Sequence, residues 1–172
     1  MAIRTVVTPP NKTLRERARK VRSFGADTQA LLDDMVETMR ASQGVGLAAP
    51  QIDVGQRVIV IEYAEGSEQE DAPASPPTLF ELINPEIVRH GAEKVNGTEA
   101  CLSLPGYYGD VERFQSVTVK GFNRHGDPVK KKAQGWLARI FQHEIDHLDG
   151  ILYIDRASQI YEADSEDVPD LV

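Results

Sequence analysis

Only one cysteine occurs among the 172 residues, so the chain cannot form an internal disulfide. A free thiol persists most easily in a reducing compartment, and we therefore expect a cytoplasmic protein. No apolar run approaches the roughly 20 residues that cross a bilayer. The start of the sequence also lacks the apolar core of a secretory signal. These absences argue against a membrane protein or a secreted one.

Positive charge is also scarce, since 27 acidic residues outnumber 19 basic ones and leave a formal net charge of −8. Such a chain is a poor candidate for binding anionic membranes or nucleic acid non-specifically, although the net charge leaves room for a local basic patch. We expect no membrane partner and no sequence-specific contact with nucleic acid. The exception in composition is Lys12–Arg22, where six basic residues accompany one acid. Its simplest interpretation is a solvated surface.

The remaining composition is that of a globular protein, with 41% hydrophobic and 27% charged residues. At this length the chain is the size of one ordinary domain, and no internal repeat divides it. We expect a single domain over residues 1–172, with a flexible acidic loop near 65–77 and a frayed acidic tail at 162–172.

Two segments have helical periodicity. Asp27–Met39 predicts an amphipathic helix with Asp27 as its cap, and a second helix is predicted to begin at Gly135 and stop at Gly150. Thr13–Glu16 has the pattern of a capping box and predicts a short helix. Strands are predicted at Arg57–Tyr63, Thr78–Ile83, Glu86–His90, Val111–Phe122 and Pro128–Gln134. This order indicates an α+β fold, with small antiparallel sheets packed around a long C-terminal helix.

The strongest local signal is the segment His143-Glu144-Ile145-Asp146-His147, which lies in the second predicted helix. Helical residues four apart lie on one face, so both imidazoles can meet a single metal ion. Glu144 is too close in sequence to be a third ligand easily, but it is well placed to take a proton from a water molecule at that ion. The alternative is a pair of histidines that bind no metal.

A catalytic metal needs a third protein ligand and an open position for water. No histidine or cysteine follows His147, and Cys101 lies upstream in a segment bent by Gly97, Pro105 and Gly106. A lone cysteine is more often a small buried hydrophobe. Together with the two histidines, a Cys-His-His site is the better interpretation.

The glycines of Gly44–Gln51 admit two other interpretations. Gly44, Gly46 and Ala49 match the spacing of a dinucleotide fingerprint, but that fingerprint must follow a strand and open a helix, whereas here a helix precedes it. A tight glycine turn after a helix explains both glycines but not Gln51.

Three motifs together resemble the signatures of peptide deformylases. They are Gly44–Gln51 (GVGLAAPQ), Glu99–Ser103 (EACLS) and Gln142–Gly150 (QHEIDHLDG), in the order and at the spacing of that family. The lead-in Asn11–Val21 is similar to the opening of the family, and the resemblance covers roughly residues 3–157. It implies removal of the formyl group from the N-terminal formylmethionine of nascent chains, with release of formate.

The resemblance also implies a role for each matching residue. Cys101, His143 and His147 would hold one divalent metal ion, Fe²⁺ in the cell, with Zn²⁺, Ni²⁺ or Co²⁺ able to occupy the site. Glu144 would be the general base and acid. The remaining catalytic and substrate-binding positions are the Gln51 amide and the Leu102 N–H as oxyanion donors, Gly46 as the partner of the substrate backbone, and Val45, Trp136 and Ile140 around the methionine side chain.

The expected partners are nascent N-formylmethionyl peptides, bound by a monomer. A transient ribosome contact is also expected, although the acidic tail is poorly suited to ribosomal RNA and Lys12–Arg22 would have to substitute for it. Residues around the site are also interpreted by resemblance: Glu99 and Arg113 either pair to hold the cysteine segment or form a weak surface pair. Asp146 either orients a neighbour or faces solvent.

One position departs from the family pattern, since Ala100 replaces the usual glycine before the cysteine. If the backbone there needed a positive φ, alanine would cost about 1 kcal/mol or more. If the glycine only admits substrate, alanine narrows the cleft by one methyl group. Three rivals stay open: a peptide-cutting metallopeptidase, a structural metal site closed by His90 or His125, and a relative weakened by Ala100.

Overall fold

The computed structural model describes residues 2–65 and 75–163. Along the chain the helices and strands are α1 (Ala26–Ala41), β1 (Gly46–Ala48), β2 (Val58–Tyr63), β3 (Thr78–His90), β4 (Lys94–Ala100), β5 (Tyr107–Phe114), β6 (Ser116–Phe122), β7 (Pro128–Gln134), α2 (Gly135–Leu148) and β8 (Gln159–Glu162). Short 3₁₀ helices cover Lys12–Leu14, Ala49–Ile52 and Tyr153–Asp155. The predicted α+β class is confirmed, and no helix in the described part is long and apolar enough to span a membrane.

Two antiparallel sheets carry the fold. The larger has the strand order β1-β2-β3-β6-β7 and the smaller the order β4-β5-β8. Alternate residues of β2 point to opposite faces of the large sheet. Ile59 and Ile61 pack with α2, whereas Val58 and Val60 pack with α1. The continuous apolar run in β2 is therefore explained by a strand covered by a helix on each face.

α2 is the central element of the structure. Its residues Leu137, Ile140, Phe141 and Ile145 pack on the inner face of the large sheet. It ends at Leu148, and Gly150 follows with a φ of 72°. That left-handed conformation is cheap only for glycine, so the predicted stop is confirmed.

Both predicted caps are wrong. Gly25, not Asp27, is the N-cap of α1, and no side chain caps that helix end. At the first 3₁₀ helix the Asn11 side chain accepts a hydrogen bond from the Thr13 N–H, so the cap lies two residues earlier than the pattern of Thr13–Glu16 predicts. Asparagine caps as well as threonine does, and the local motif could not decide between them.

Two strand boundaries also differ from the prediction. Thr78–Ile83 and Glu86–His90 form one strand, β3, with a register shift around Asn84, whose φ is 52°. The predicted Val111–Phe122 strand is instead two strands, because β5 and β6 separate at Gln115 and belong to different sheets. Most of the predicted acidic loop (66–74) and of the predicted frayed tail (164–172) lies outside the described residues.

Candidate metal centre

α2 and the end of β4 bring three ligand side chains together. The sulfur of Cys101 and one ring nitrogen each of His143 and His147 all lie within 4.8 Å of one another, and all three residues are buried. The Cys101 Sγ lies 3.4 Å from the His147 Nε2. Among the described residues this is the one cluster of histidine, cysteine and acidic side chains that could hold a metal ion.

A turn at the end of β4 places Cys101. The strand ends at Ala100, and the Cys101 carbonyl accepts a hydrogen bond from the Leu104 N–H at 2.9 Å. Gly106 follows with a φ of 82°, after which β5 returns antiparallel to β4. The bent segment predicted from Pro105 and Gly106 thus turns the sulfur towards α2.

A buried carboxylate fixes the first histidine. Glu99 is fully buried, and its Oε1 lies 2.8 Å from the His143 Nδ1. Arg113 donates to both oxygens of Glu99, at 2.8 and 3.0 Å. The Glu99–Arg113 pair is therefore a buried bidentate pair and not a surface one. Burial raises the pKa of Glu99, but hydrogen bonds from His143 and Arg113 hold it well below its usual range.

A second arginine on Glu99 was not anticipated from the sequence. Arg139 Nη1 donates to Glu99 Oε2 at 2.6 Å and to the Val111 carbonyl at 2.8 Å. A Cβ at Gly97 would lie 2.8 Å from this guanidinium, so the glycine in β4 makes room for it. A signal for it exists in the sequence, since Arg139 precedes His143 by four residues and therefore lies on the same face of the helix.

Of the two alternatives for Asp146, orienting a neighbour or facing solvent, the structure supports the first. Asp146 accepts hydrogen bonds from Arg113 Nη1 and, at 2.7 Å, from Arg156 Nε. Arg113 is thereby held between Glu99 and Asp146. The histidine helix and the cysteine strand are joined through this arginine.

The donor set fits a metal cation. The His143 Nε2 and the His147 Nδ1 are buried, and neither has a hydrogen-bond partner in the described part of the chain. Burial lowers the pKa of His143, but the nearby Cys101 sulfur and the hydrogen-bonded Glu99 carboxylate raise it to about 10. Burial, aided by the charges of His143 and Arg113, holds the pKa of His147 well below its usual range. These surroundings favour one positive charge between the two imidazoles and Cys101, and a bound cation would supply that charge to a thiolate and two neutral imidazoles.

Glu144 lies against Gly46 with a buried, unpartnered carboxylate. Neither of its oxygens has a hydrogen-bond partner among the described residues. Burial raises the pKa of Glu144 to about 7, while the charge on His143 opposes the rise. A Cβ at Gly46 would overlap Glu144 Oε1 and would lie 2.9 Å from its Cδ. This glycine is needed because the carboxylate occupies the space of a side chain.

Gln51 and Leu102 lie beside the sulfur. The Gln51 side-chain oxygen accepts from the Ala48 N–H at 2.8 Å, which leaves its amide nitrogen 3.5 Å from the Cys101 Sγ and 3.3 Å from the Ser103 hydroxyl. Leu102 lies within the turn that follows Cys101, and in the described part of the chain its N–H donates to no other group. Ser103 is a further buried contact that the motif did not single out.

The three residues predicted to surround the substrate side chain differ in burial. Ile140 is fully buried in the core between α2 and the sheet, and Val45 and Trp136 are half-buried against the same core. The Arg139 guanidinium lies over the ring of Trp136, 5.7 Å from the ring centroid.

Ala100 lies in ordinary extended backbone. It pairs with Tyr108 in the β4–β5 ladder and is not among the residues with positive φ. Only 1% of its surface is exposed. Of the two consequences considered for alanine, backbone strain does not apply, and the methyl group is enclosed by protein.

The histidines proposed to close a structural site lie elsewhere. The His90 ring stacks on Phe114 with centroids 3.7 Å apart, and His125 is exposed in the β6–β7 hairpin. Neither belongs to the ligand cluster. Tyr107 is exposed, and Tyr108 stacks on Tyr161 in the small sheet.

Comparisons with known proteins agree on one family. A family model described as polypeptide deformylase matches residues 3–163. A peptide deformylase of Symbiobacterium thermophilum is 51% identical over 161 residues, covering 93% of this chain and 69% of that protein. One from Desulforudis audaxviator is 48% identical and covers 94% and 97%. A crystal structure of peptide deformylase from Ehrlichia chaffeensis has a TM-score of 0.82 at 39% identity and covers 92% and 89%.

Proposed function

This chain belongs to the peptide deformylase family, and on that premise we propose how its residues carry out the reaction. The enzyme is a metal-dependent hydrolase that removes the N-formyl group from the formylmethionine of newly synthesised polypeptides. The observation that carries the assignment is the buried convergence of Cys101, His143 and His147 beside the unpartnered carboxylate of Glu144.

We propose that Cys101, His143 and His147 hold one divalent metal ion, which is Fe²⁺ in the cell. When bound, the ion supplies a nucleophile at neutral pH by lowering the pKa of water. A thiolate ligand makes the site soft, which suits iron or zinc. Glu99 supports this site by accepting from the Nδ1 of His143, so that the Nε2 of the same ring faces the ligand cluster.

Glu144 is the proton carrier of the reaction. Its two oxygens are buried and free of protein partners, so they are available to the reacting groups. It takes a proton from the attacking water and returns it to the leaving amine. The pKa of about 7 that burial gives this carboxyl lies near the operating pH, where such a group exchanges protons efficiently.

Gln51 and Leu102 stabilise the negative charge that develops on the formyl oxygen. The Gln51 amide nitrogen is aimed at the cluster because its own oxygen is held by the Ala48 N–H. The Leu102 N–H is fixed by the turn that places Cys101. Donors held in place before the reaction lower the barrier most effectively, since they do not have to reorganise.

The substrate peptide adds as a strand to β1. This strand is the edge of the large sheet, and among the described strands it pairs only with β2, so its other edge has no strand partner there. Gly46 at its start leaves backbone groups for a peptide to pair with. Val45, Trp136 and Ile140 form the surroundings of the methionine side chain, next to the ring of His143.

We also propose that the enzyme is a cytoplasmic monomer that touches the ribosome transiently. A buried free thiol among the proposed ligands supports a reducing compartment. The substrate, a newly synthesised chain, supports the ribosome contact.

Formate release from a formylmethionyl tripeptide tests the function. We expect formate and the intact deformylated peptide as the only products, with activity dependent on added or retained metal. Cleavage of the peptide chain would instead identify a metallopeptidase. Activity that survives complete removal of metal by a chelator would contradict the assignment.

A further inference from the structure

Half of the outer face of the large sheet is not covered by a helix in the described part of the chain. On its inner side α2 covers Val117, Val119 and Ala133, and on its outer side α1 packs on β1, β2 and the start of β3, where Ile83 lies. The outer face of the remaining half, formed by β3, β6 and β7, is exposed to solvent. This exposed half lies on the side of the sheet opposite α2 and its ligand residues.

Two rows of charged side chains cross that bare half. The strand registers align Glu86 with Lys120 and Lys120 with Lys130 in one row. In the next row they align Arg89 with Thr118 and Thr118 with Lys132. Neighbouring strands lie about 5 Å apart and residues two apart along a strand about 7 Å apart, so the cations form a compact grid. Thr118 is nearly buried although it lies on this face, as expected if long Lys and Arg stems cover it.

The basic N-terminal segment extends the grid. The side chain of Asn84 accepts from the Val21 N–H at 2.8 Å and donates to the Val21 carbonyl at 2.9 Å, which holds the segment against β3. Lys20 is thereby placed 3.3 Å from Glu86, and it lines one groove with Lys120 and Lys130. We call the residues Lys20, Arg89, Lys120, Lys130 and Lys132 the basic face.

Most charges of the basic face have no acidic partner among the described residues. It carries five cations against the single acid Glu86, although the whole chain has a net charge of −8. In the described part of the chain Arg89, Lys120, Lys130 and Lys132 form no ion pair, whereas Arg113, Arg124 and Arg139 all do. Unpaired like charges packed together raise the free energy of the isolated protein, and a polyanion would relieve that repulsion.

We propose that the basic face binds the phosphate backbone of helical RNA. Four of its five cations are lysines, which contact phosphate as point charges. The two rows contain no aromatic residue, and Phe122, which lines the groove beside them, packs its ring against Phe24 with centroids 5.7 Å apart, so the rows themselves offer no platform for stacking unpaired bases. Contacts to phosphate position a protein without reading sequence, which suits an enzyme that must act on many nascent chains. The choice of RNA among polyanions rests on the proposed function, because RNA is the polyanion of the translation machinery.

The test is binding of a short RNA duplex of mixed sequence by the metal-loaded enzyme, measured by fluorescence anisotropy between about 50 and 200 mM salt. Each phosphate contact contributes about −0.9 to the slope of log affinity against log salt. Five contacts predict a slope of about −4.5 for the parent. The variant Lys120→Gln/Lys130→Gln/Lys132→Gln should bind at least tenfold more weakly, with a slope reduced in magnitude by about 3.

A matched control variant distinguishes RNA binding at the basic face from a general effect of net charge. The variant Lys12→Gln/Arg17→Gln/Lys94→Gln removes three exposed cations elsewhere and should bind RNA within twofold of the parent. Both variants should deformylate a short formylmethionyl peptide at the parental rate, so loss of RNA binding is distinguishable from loss of the proposed function. Equal RNA affinity in the two triple variants would overturn the proposal. Tighter binding of polyglutamate, of a DNA duplex or of phosphatidylglycerol vesicles than of RNA would also overturn it.

Discussion

The two charged regions of the molecule are built in opposite ways. Around the proposed metal ligands, Arg113 and Arg139 are buried and both donate hydrogen bonds to the buried Glu99. On the basic face, Lys120, Lys130 and Lys132 are exposed and pair with no acid in the described part of the chain. In the first region the charged groups fix the position of His143. In the second region the lysines remain available to a partner.

This difference determines how each region responds to substitution. A buried charge that loses its partner is left uncompensated in a medium of low dielectric constant, so changes near the ligands should be costly. An exposed lysine is solvated with or without a partner, so its replacement should hardly alter the fold. Substitutions in the two regions therefore test the comparison directly.

Glu144→Gln should give the largest effect, because it removes the proton carrier from the centre of the buried region. We expect the rate of formate release to fall about 10³-fold while metal content and the unfolding transition are retained. The measurement is a steady-state formate assay alongside metal analysis. The exposed Glu112 provides the matched control, and Glu112→Gln should leave the rate unchanged. Turnover of Glu144→Gln at the parental rate would contradict the proposed role.

Arg139→Gln tests whether the buried charges depend on one another. It leaves Glu99 with Arg113 and His143 but removes a charged donor, and we expect the free energy of unfolding to fall by about 3 kcal/mol. Urea denaturation measures this loss. Lys130→Gln on the basic face is the control and should change stability by less than about 0.5 kcal/mol. Equal losses in the two variants would remove the distinction between the regions.

Gly46→Ala tests how tightly Glu144 is placed. The added methyl group would meet the carboxylate and displace it, which we expect to lower the rate of formate release about 100-fold. Gly55→Ala is the matched control, since a Cβ there meets no atom within 4 Å. If both variants kept the parental rate, the close approach of Gly46 to Glu144 would have no catalytic meaning.

Ala100→Gly should have the smallest effect. Because Ala100 has an extended backbone, glycine relieves no strain, and we expect activity within about threefold of the parent. Stability should fall by about 0.5–1 kcal/mol, because glycine loses more freedom on folding. The formate assay and urea denaturation check both expectations. An activity gain of tenfold or more would show instead that alanine impairs this enzyme.

The fold class and the convergence of the three proposed ligands could be predicted from the sequence because they depend on helical spacing and on recognisable motifs. The four-residue spacing of His143 and His147 fixes a shared helix face, and three motifs in family order added Cys101 from a distant segment. Helical periodicity and the final Gly150 likewise located α2 to within one or two residues.

The features that could not be predicted depend on which segments meet in space. Nothing local distinguishes Asn11 from Thr13 as a cap, and nothing local divides Val111–Phe122 between two sheets. Arg139 joins Glu99 only because β4 passes beside α2. The basic face combines Lys20 from the N-terminal segment with lysines of β6 and β7, which no single window of sequence displays together.

The central claim is that one cysteine and two histidines bind a single metal ion. X-ray absorption at the metal edge of anaerobically purified protein tests it most directly. The account predicts one ion per chain with one sulfur ligand, at about 2.3 Å if the ion is zinc, and two imidazole nitrogens. A spectrum without a sulfur ligand, or one whose sulfur persists in Cys101→Ser, would contradict it.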